Sequence, residues 1–151
     1  MVTETFIPDE DMRKQAVSSL HYANGFYSTL RNSLDNKNSR FDNDLRYNFA
    51  VISIEKYFVA LLARYDWNAS HHMPIALFKE ALTFDPELTD SMKQTAILAG
   101  KFEAICSLEG FGYRTPTTEE LEAMAKGIFE IKAWVEKRID EIPLTPKGEL
   151  R

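Results

Sequence analysis

The segment RYDWNASHH, Arg64 to His72, places an arginine and two adjacent histidines directly after the apolar run FAVISIEKYFVALLA. An arginine offers a planar fork of donors that matches phosphate oxygens, and a histidine titrates near pH 6.5. Together they suit metal-independent RNA cleavage, in which the imidazole takes the proton of a ribose 2′-OH while the guanidinium offsets charge building on the phosphate. That chemistry requires Arg64 and His71 to converge on one surface. The loop DWNAS would have to fold back so that the end of one helix meets the start of the next, whose free N–H groups would point at the same anion.

The same residues also have a purely structural reading, which is the simpler one. Ser70 caps the following helix, His71 and His72 fill its exposed first turn, and Arg64 donates to carbonyls at the end of its own helix, where a cation complements the dipole. A metal pair at His71 and His72 fails on geometry, because neighbours on a helix point about 100° apart and no HxxxH or ExxH partner supports them. Glu55 and Lys56 read as a polar edge or as an ion pair with a neighbouring helix. Arg46, near Asp42 and Asp44, is expected in surface pairs, and His21 is a lone, partly exposed residue. Cys106, the one cysteine, sits at apolar spacing and reads as a small buried thiol.

The elements that must position these residues are helical throughout. Apolar positions Ala16, Leu20, Ala23, Tyr27, Leu30 and Leu34 step by three or four from Met12, and the polar cluster DNKNS closes that helix. A second helix from about 41 to 65 carries an apolar band too wide for one face against water, and is expected to be the most buried. MPIALFKEALTF forms a shorter helix with Pro74 in its first turn. Asp85 is then expected to cap, and Pro86 to open, a fourth helix running through Met92, Ala96, Ala99, Phe102 and Ile105, which Gly110 and Gly112 break. Thr117 and Glu120 have capping-box spacing. They announce a last helix with a stripe at Leu121, Met124, Ile128, Ile131 and Val135, widened by Trp134 and Ile139. The fold class is all-α, an up-and-down four-helix bundle with one additional short helix, in one domain over 1–151 with a mobile tail at about 143–151.

Composition excludes several classes. The chain has 151 residues, 44% of them hydrophobic and 27% charged, as in an ordinary globular protein. A formal net charge of −5 supplies no basic field for long DNA. The acidic N-terminus MVTETFIPDEDM lacks the cations of a signal peptide, and no run of about 18 apolar residues offers a membrane span. A cytoplasmic location is expected. No cofactor or metal is implied.

At two places the residues resemble the HEPN family (higher eukaryote and prokaryote nucleotide-binding). IEKYFVALLARYDWNASHHMPIALFKEA is similar to the helix, loop and helix in which E-K-x-x-x-A-L-L leads to T-H-D-L; the matching residues are Glu55, Lys56, Ala60, Leu61 and Leu62, then Ser70, His71, His72 and Met73. GYRTPTTEELEAMAKGIFEIKAWVEKRI resembles the final HEPN helix after an R-Y-P segment, with Arg114 and Pro116 in place and Thr115 where the family has an aromatic residue. The catalytic R-x(4-6)-H motif of HEPN ribonucleases, commonly R-N-x-x-x-H in a late helix, has no histidine to complete it in the final third of this chain. Arg64 and His71 satisfy the loose spacing at another place, whereas Arg31-Asn32 is followed by SLDNK.

The resemblance implies a nucleotide- or RNA-associated module of the kind paired with nucleotidyltransferases in toxin-antitoxin or defence systems, here without nuclease activity. Arg64, His71, His72 and Arg114 are its candidate ligand- or phosphate-binding residues, and Phe111 and Tyr113 beside Arg114 a stacking or interface edge. A bundle that docks a partner, with no nucleotide ligand, is the alternative. An endoribonuclease using Arg64 and His71 is the second. The family habit of pairing, with the apolar breadth of the second and last helices, adds the expectation of a homodimer.

Overall fold

Asp9, Asp42 and Thr117 each set the start of a long helix by accepting a hydrogen bond from a backbone N–H three residues on. The computed structural model describes residues 6–105 and 114–143, with the backbone alone for 103–105. Five helices make up the described fold: α1 (Glu10–Asp35), α2 (Asn43–Arg64), α3 (Pro74–Phe84), α4 (Asp90–Ile105) and α5 (Thr118–Asp140). The architecture is all-α, with no strand among the described residues and no helix among them long and apolar enough to cross a membrane. At the start of α5 the capping box forms as its spacing predicts, with Thr117 Oγ1 accepting from Glu120 N at 3.1 Å and Glu120 returning to Thr117 N at 2.8 Å. Cys106, Gly110, Phe111, Gly112, Tyr113 and the segment 144–151 of the expected tail lie outside the described residues.

The helix pairs are ordered by contacts along their lengths. Ser33 meets Arg46, Phe26 stacks near Phe49, and Asp9 N donates to Asp66 at 3.0 Å, so α1 and α2 are antiparallel. Arg31 reaches Glu122 and Asn24 reaches Glu136, so α5 runs antiparallel to α1 and alongside α2 in the same direction. Between α4 and α5, Ser91 meets Glu130, while Thr95 packs on Gly127. A Cβ at Gly127 would stand 2.0 Å from Thr95 Oγ1 and 2.9 Å from its Cβ, so the missing side chain is what lets these helices approach.

α2 is the most buried helix, as its wide apolar band predicts. Ile54, Tyr57, Phe58, Leu61 and Leu62 have no exposed surface, because α1, α3, α4 and α5 all pack on α2. On α5 the stripe Leu121, Met124, Ile128, Ile131 and Val135 is equally sealed. Of the α2 band, Phe49, Val51, Ile52 and Val59 are half-buried and Leu45 is exposed. On the outward side of α5 Phe129 is 56% exposed.

Two expected caps and one expected pairing differ. α3 has Met73 as its N-cap with no side-chain bond, Pro74 filling the first position. Ser70 lies earlier in the loop. α4 opens at Asp90, and Thr89 Oγ1 accepts from Met92 N at 3.2 Å. Asp85 instead ends α3 and is buried. Arg46 bonds Asn43 and Ser33 rather than Asp42 or Asp44.

Candidate functional site

α2 ends in a tight reversal that decides where its last side chain points. Tyr65 is the C-cap, Asp66 takes φ 67°, and the N–H groups of Asp66 and Trp67 return to Ala63 O and Leu62 O at 2.9 and 3.0 Å. This is the Schellman arrangement, with aspartate in the left-handed position that glycine usually occupies. The chain then runs back beside α2 rather than across its end. His72 Nδ1 lies 3.1 Å from Glu55 Oε2, nine residues before Arg64, which is about 13 Å along the helix at about 1.5 Å per residue.

Arg64 is fully buried at the other end of that span. Its Nε donates to Arg138 O at 2.8 Å, one terminal nitrogen donates to Phe6 O at 3.1 Å, and the guanidinium lies 5.3 Å from the Tyr65 ring centroid. Burial pulls its pKa below the usual arginine value. The carbonyls it holds belong to α5 and the N-terminal segment, not to the end of its own helix.

His71 is exposed and bonds Glu80 of α3 at 3.1 Å. Glu80 also accepts from Trp67 Nε1 at 2.8 Å and Ser70 N at 2.9 Å, so one carboxylate clasps the whole loop to α3. Burial alone would raise its pKa, but the donors His71, Trp67 and Ser70 outweigh it and hold the carboxyl at about 2. Arg64 and His71 therefore do not converge, and no anion site forms between them. Arg114 is at a third place, in a two-pronged pair with Glu120 at 2.9 Å and above the Phe102 ring at 5.0 Å. The Arg114 bonds, with that from Thr117 N, hold Glu120 at about 2.

A concavity of about 490 Å³ does lie beside His71, walled by Trp67, Phe84 and the α3 residues Ala76, Lys79, Glu80 and Thr83. Trp67, Lys79 and Glu80 are not among the residues whose type and spacing suggest a site. Among the described residues no group of three or more histidine, cysteine, aspartate or glutamate side chains is placed to hold a metal ion.

The densest polar cluster joins residues far apart in the sequence. Asp85, 1% exposed, accepts from Arg138 Nε and Trp134 Nε1 at 2.9 Å and from Tyr65 OH at 3.1 Å. Arg138 reaches Glu87 and Glu141 as well, at 2.9 and 3.1 Å. Burial opposes the charge on Asp85, yet Arg138 and Trp134 hold its pKa below the ordinary value. Arg138, Trp134 and Tyr65 are all bonded to Asp85, so the cluster ties the α3–α4 turn to α5. One signal was available: Arg138 continues the stripe of Leu121, Met124, Ile128, Ile131 and Val135 at the same spacing, which foretells burial.

No family model, curated protein or solved structure matches this chain.

Proposed function

We propose that the chain is a non-catalytic helical interaction module that works by protein contact. In this reading α1, α2, α4 and α5 are a HEPN-like four-helix bundle and α3 is the additional short helix. The observation that carries it is the position of Arg64, whose guanidinium is sealed against main-chain carbonyls and faces away from His71. Arginines near the other candidates are engaged too, Arg114 with Glu120 and Arg138 with Asp85. Metal-independent cleavage needs the histidine and the arginine on one phosphate, and this geometry supports neither role. The outward face of α5, with Phe129 exposed between two open furrows, supplies contact surface instead.

A second reading, a nucleotide- or RNA-associated module, is favoured by one feature. The Trp67 indole, the His71 imidazole and the Lys79 ammonium line one concavity, and a base could stack on the first while a phosphate met the others. The two readings separate in a titration of the chain with nucleoside phosphates and short RNAs, followed by thermal shift. The interaction reading expects no saturable shift and no cleavage. A saturable shift lost in both Trp67→Ala and Lys79→Ala would overturn it in favour of the second.

A further inference from the structure

The charged residues of α5 divide into two groups. Glu120, Glu122, Lys132, Glu136 and Arg138 all have ion partners within the chain. Glu119, Lys126, Glu130 and Lys137 have none among the described residues. Glu130 accepts only hydroxyls, from Thr89 and Ser91, and Lys137 lies 5.9 Å from the Trp134 ring. Asp140, at the helix end, is likewise without an ion partner.

Four of these five charges are not scattered. With Ala123 and Ala133 they form one outward stripe, Glu119, Ala123, Lys126, Glu130, Ala133, Lys137, all exposed except the half-buried Glu130. The steps alternate four and three residues, so the stripe reads the same in either direction about a midpoint at Ile128, with each glutamate mirrored by a lysine and each alanine by an alanine. We propose that this stripe is a two-fold docking surface for a second copy of the chain, with the two α5 helices antiparallel and crossing at the level of the buried Ile128. Lys126 then faces the second copy's Glu130, Glu119 faces its Lys137, and Ala123 faces its Ala133. Each contact occurs twice, as an isologous interface demands. The alanines let the helix axes approach closely, and steps of four and three residues keep all six positions on one face of the helix.

The flanking shape agrees with that arrangement. The ridge formed by Ala123, Lys126 and Phe129 stands between a furrow of about 540 Å³ beside α4 and another of about 500 Å³ beside α1. Phe129 lies on the α1 side of the stripe, within 6.4 Å of the Tyr27 ring centroid, and under the same two-fold it comes beside Phe129 of the second copy, so the exposed rings of the two copies cover each other. The inference rests on the interaction reading and names its partner.

Charge reversal tests it. In sedimentation at rising concentration and low salt, the wild-type chain self-associates. Lys126→Glu or Glu130→Lys alone sets like charges opposite each other twice and weakens association by about tenfold or more. The double variant Lys126→Glu with Glu130→Lys restores opposite charges and recovers association, while helical content stays that of the wild type. A wild-type chain monomeric at all concentrations, single variants that associate like the wild type, or a double variant that fails to recover would each overturn the docking inference. The nucleotide titration judges the interaction reading separately, so the two can fail independently.

Discussion

Arg138 of α5 and Asp85 at the end of α3 are 53 residues apart in the chain, and Arg138 Nε donates to Asp85 Oδ2 at 2.9 Å with both side chains almost wholly out of water. Removing one member of a buried pair strands the other, which costs far more than the pair contributes net. Asp85→Ala would leave the Trp134 and Tyr65 donors without their acceptor and the Arg138 charge partly unpaired. We expect a loss of about 3–5 kcal/mol in urea denaturation. A loss under about 1 kcal/mol would show that water replaces the carboxylate and that the cluster does not hold α3 to α5.

Arg64 and His71 separate in the same measurement. Arg64→Met keeps the apolar stem but strips donors from the carbonyls of Arg138 and Phe6, both held at hydrogen-bond distance. It should lower stability by about 3 kcal/mol, the scale of charged hydrogen bonds lost in the interior. His71→Ala removes one bond from an exposed ring and should cost no more than about 1 kcal/mol. Equal costs would place the two side chains in equivalent surroundings, contrary to their burial.

What was legible in the sequence followed from local chemistry. The helical period, the Thr117–Glu120 capping box and Pro74 at the start of α3 depend on residues within one turn of each other, and each is present. The path of 65–73 was not legible, because it depends on Glu80 gathering Trp67, Ser70 and His71 from a helix that the loop has not yet reached. Asp85-Pro86 carried an ordinary N-cap signature, and the donors of Arg138 and Trp134, distant in sequence, drew the carboxylate inward instead. The outward stripe of α5 was present in the sequence, but an apolar period draws attention to the opposite face. Its significance required knowing which of the α5 charges find partners within the chain.

Gly127 tests the contact between α4 and α5. Alanine is the better helix former by about 1 kcal/mol, so an exposed helical glycine would gain from the change. Here the new Cβ would overlap Thr95 at its own Cβ as well as at its hydroxyl. Gly127→Ala should therefore destabilise by about 1–3 kcal/mol, the range for overpacking. Thr95→Ala in the same chain removes the hydroxyl and the methyl, leaves only the Cβ contact at 2.9 Å, and should recover part of that loss. If Gly127→Ala raises the melting temperature by itself, the helices separate at little cost and the close approach is not required.

Glu80 gives the loop a pH dependence of definite sign. Its carboxyl is held at about 2 in the folded chain, against an ordinary value of 4.5. The folded state thus binds fewer protons than the unfolded state between those limits. The stabilisation from the clasp is complete above about pH 4.5 and is lost as pH falls toward 2. Glu80→Gln can still accept from Trp67 or Ser70 through its amide oxygen, but it has no charge to lose. The variant should be less stable than the wild type at neutral pH, and the gap should close between pH 4.5 and 2. Asp85, whose pKa is also depressed, is present in both chains and sets the acid decline they share. Urea midpoints at several pH values measure the difference directly. A gap that stays constant across that window would mean that Glu80 is not held ionised by the loop, and that His71 and Trp67 do not depend on its charge.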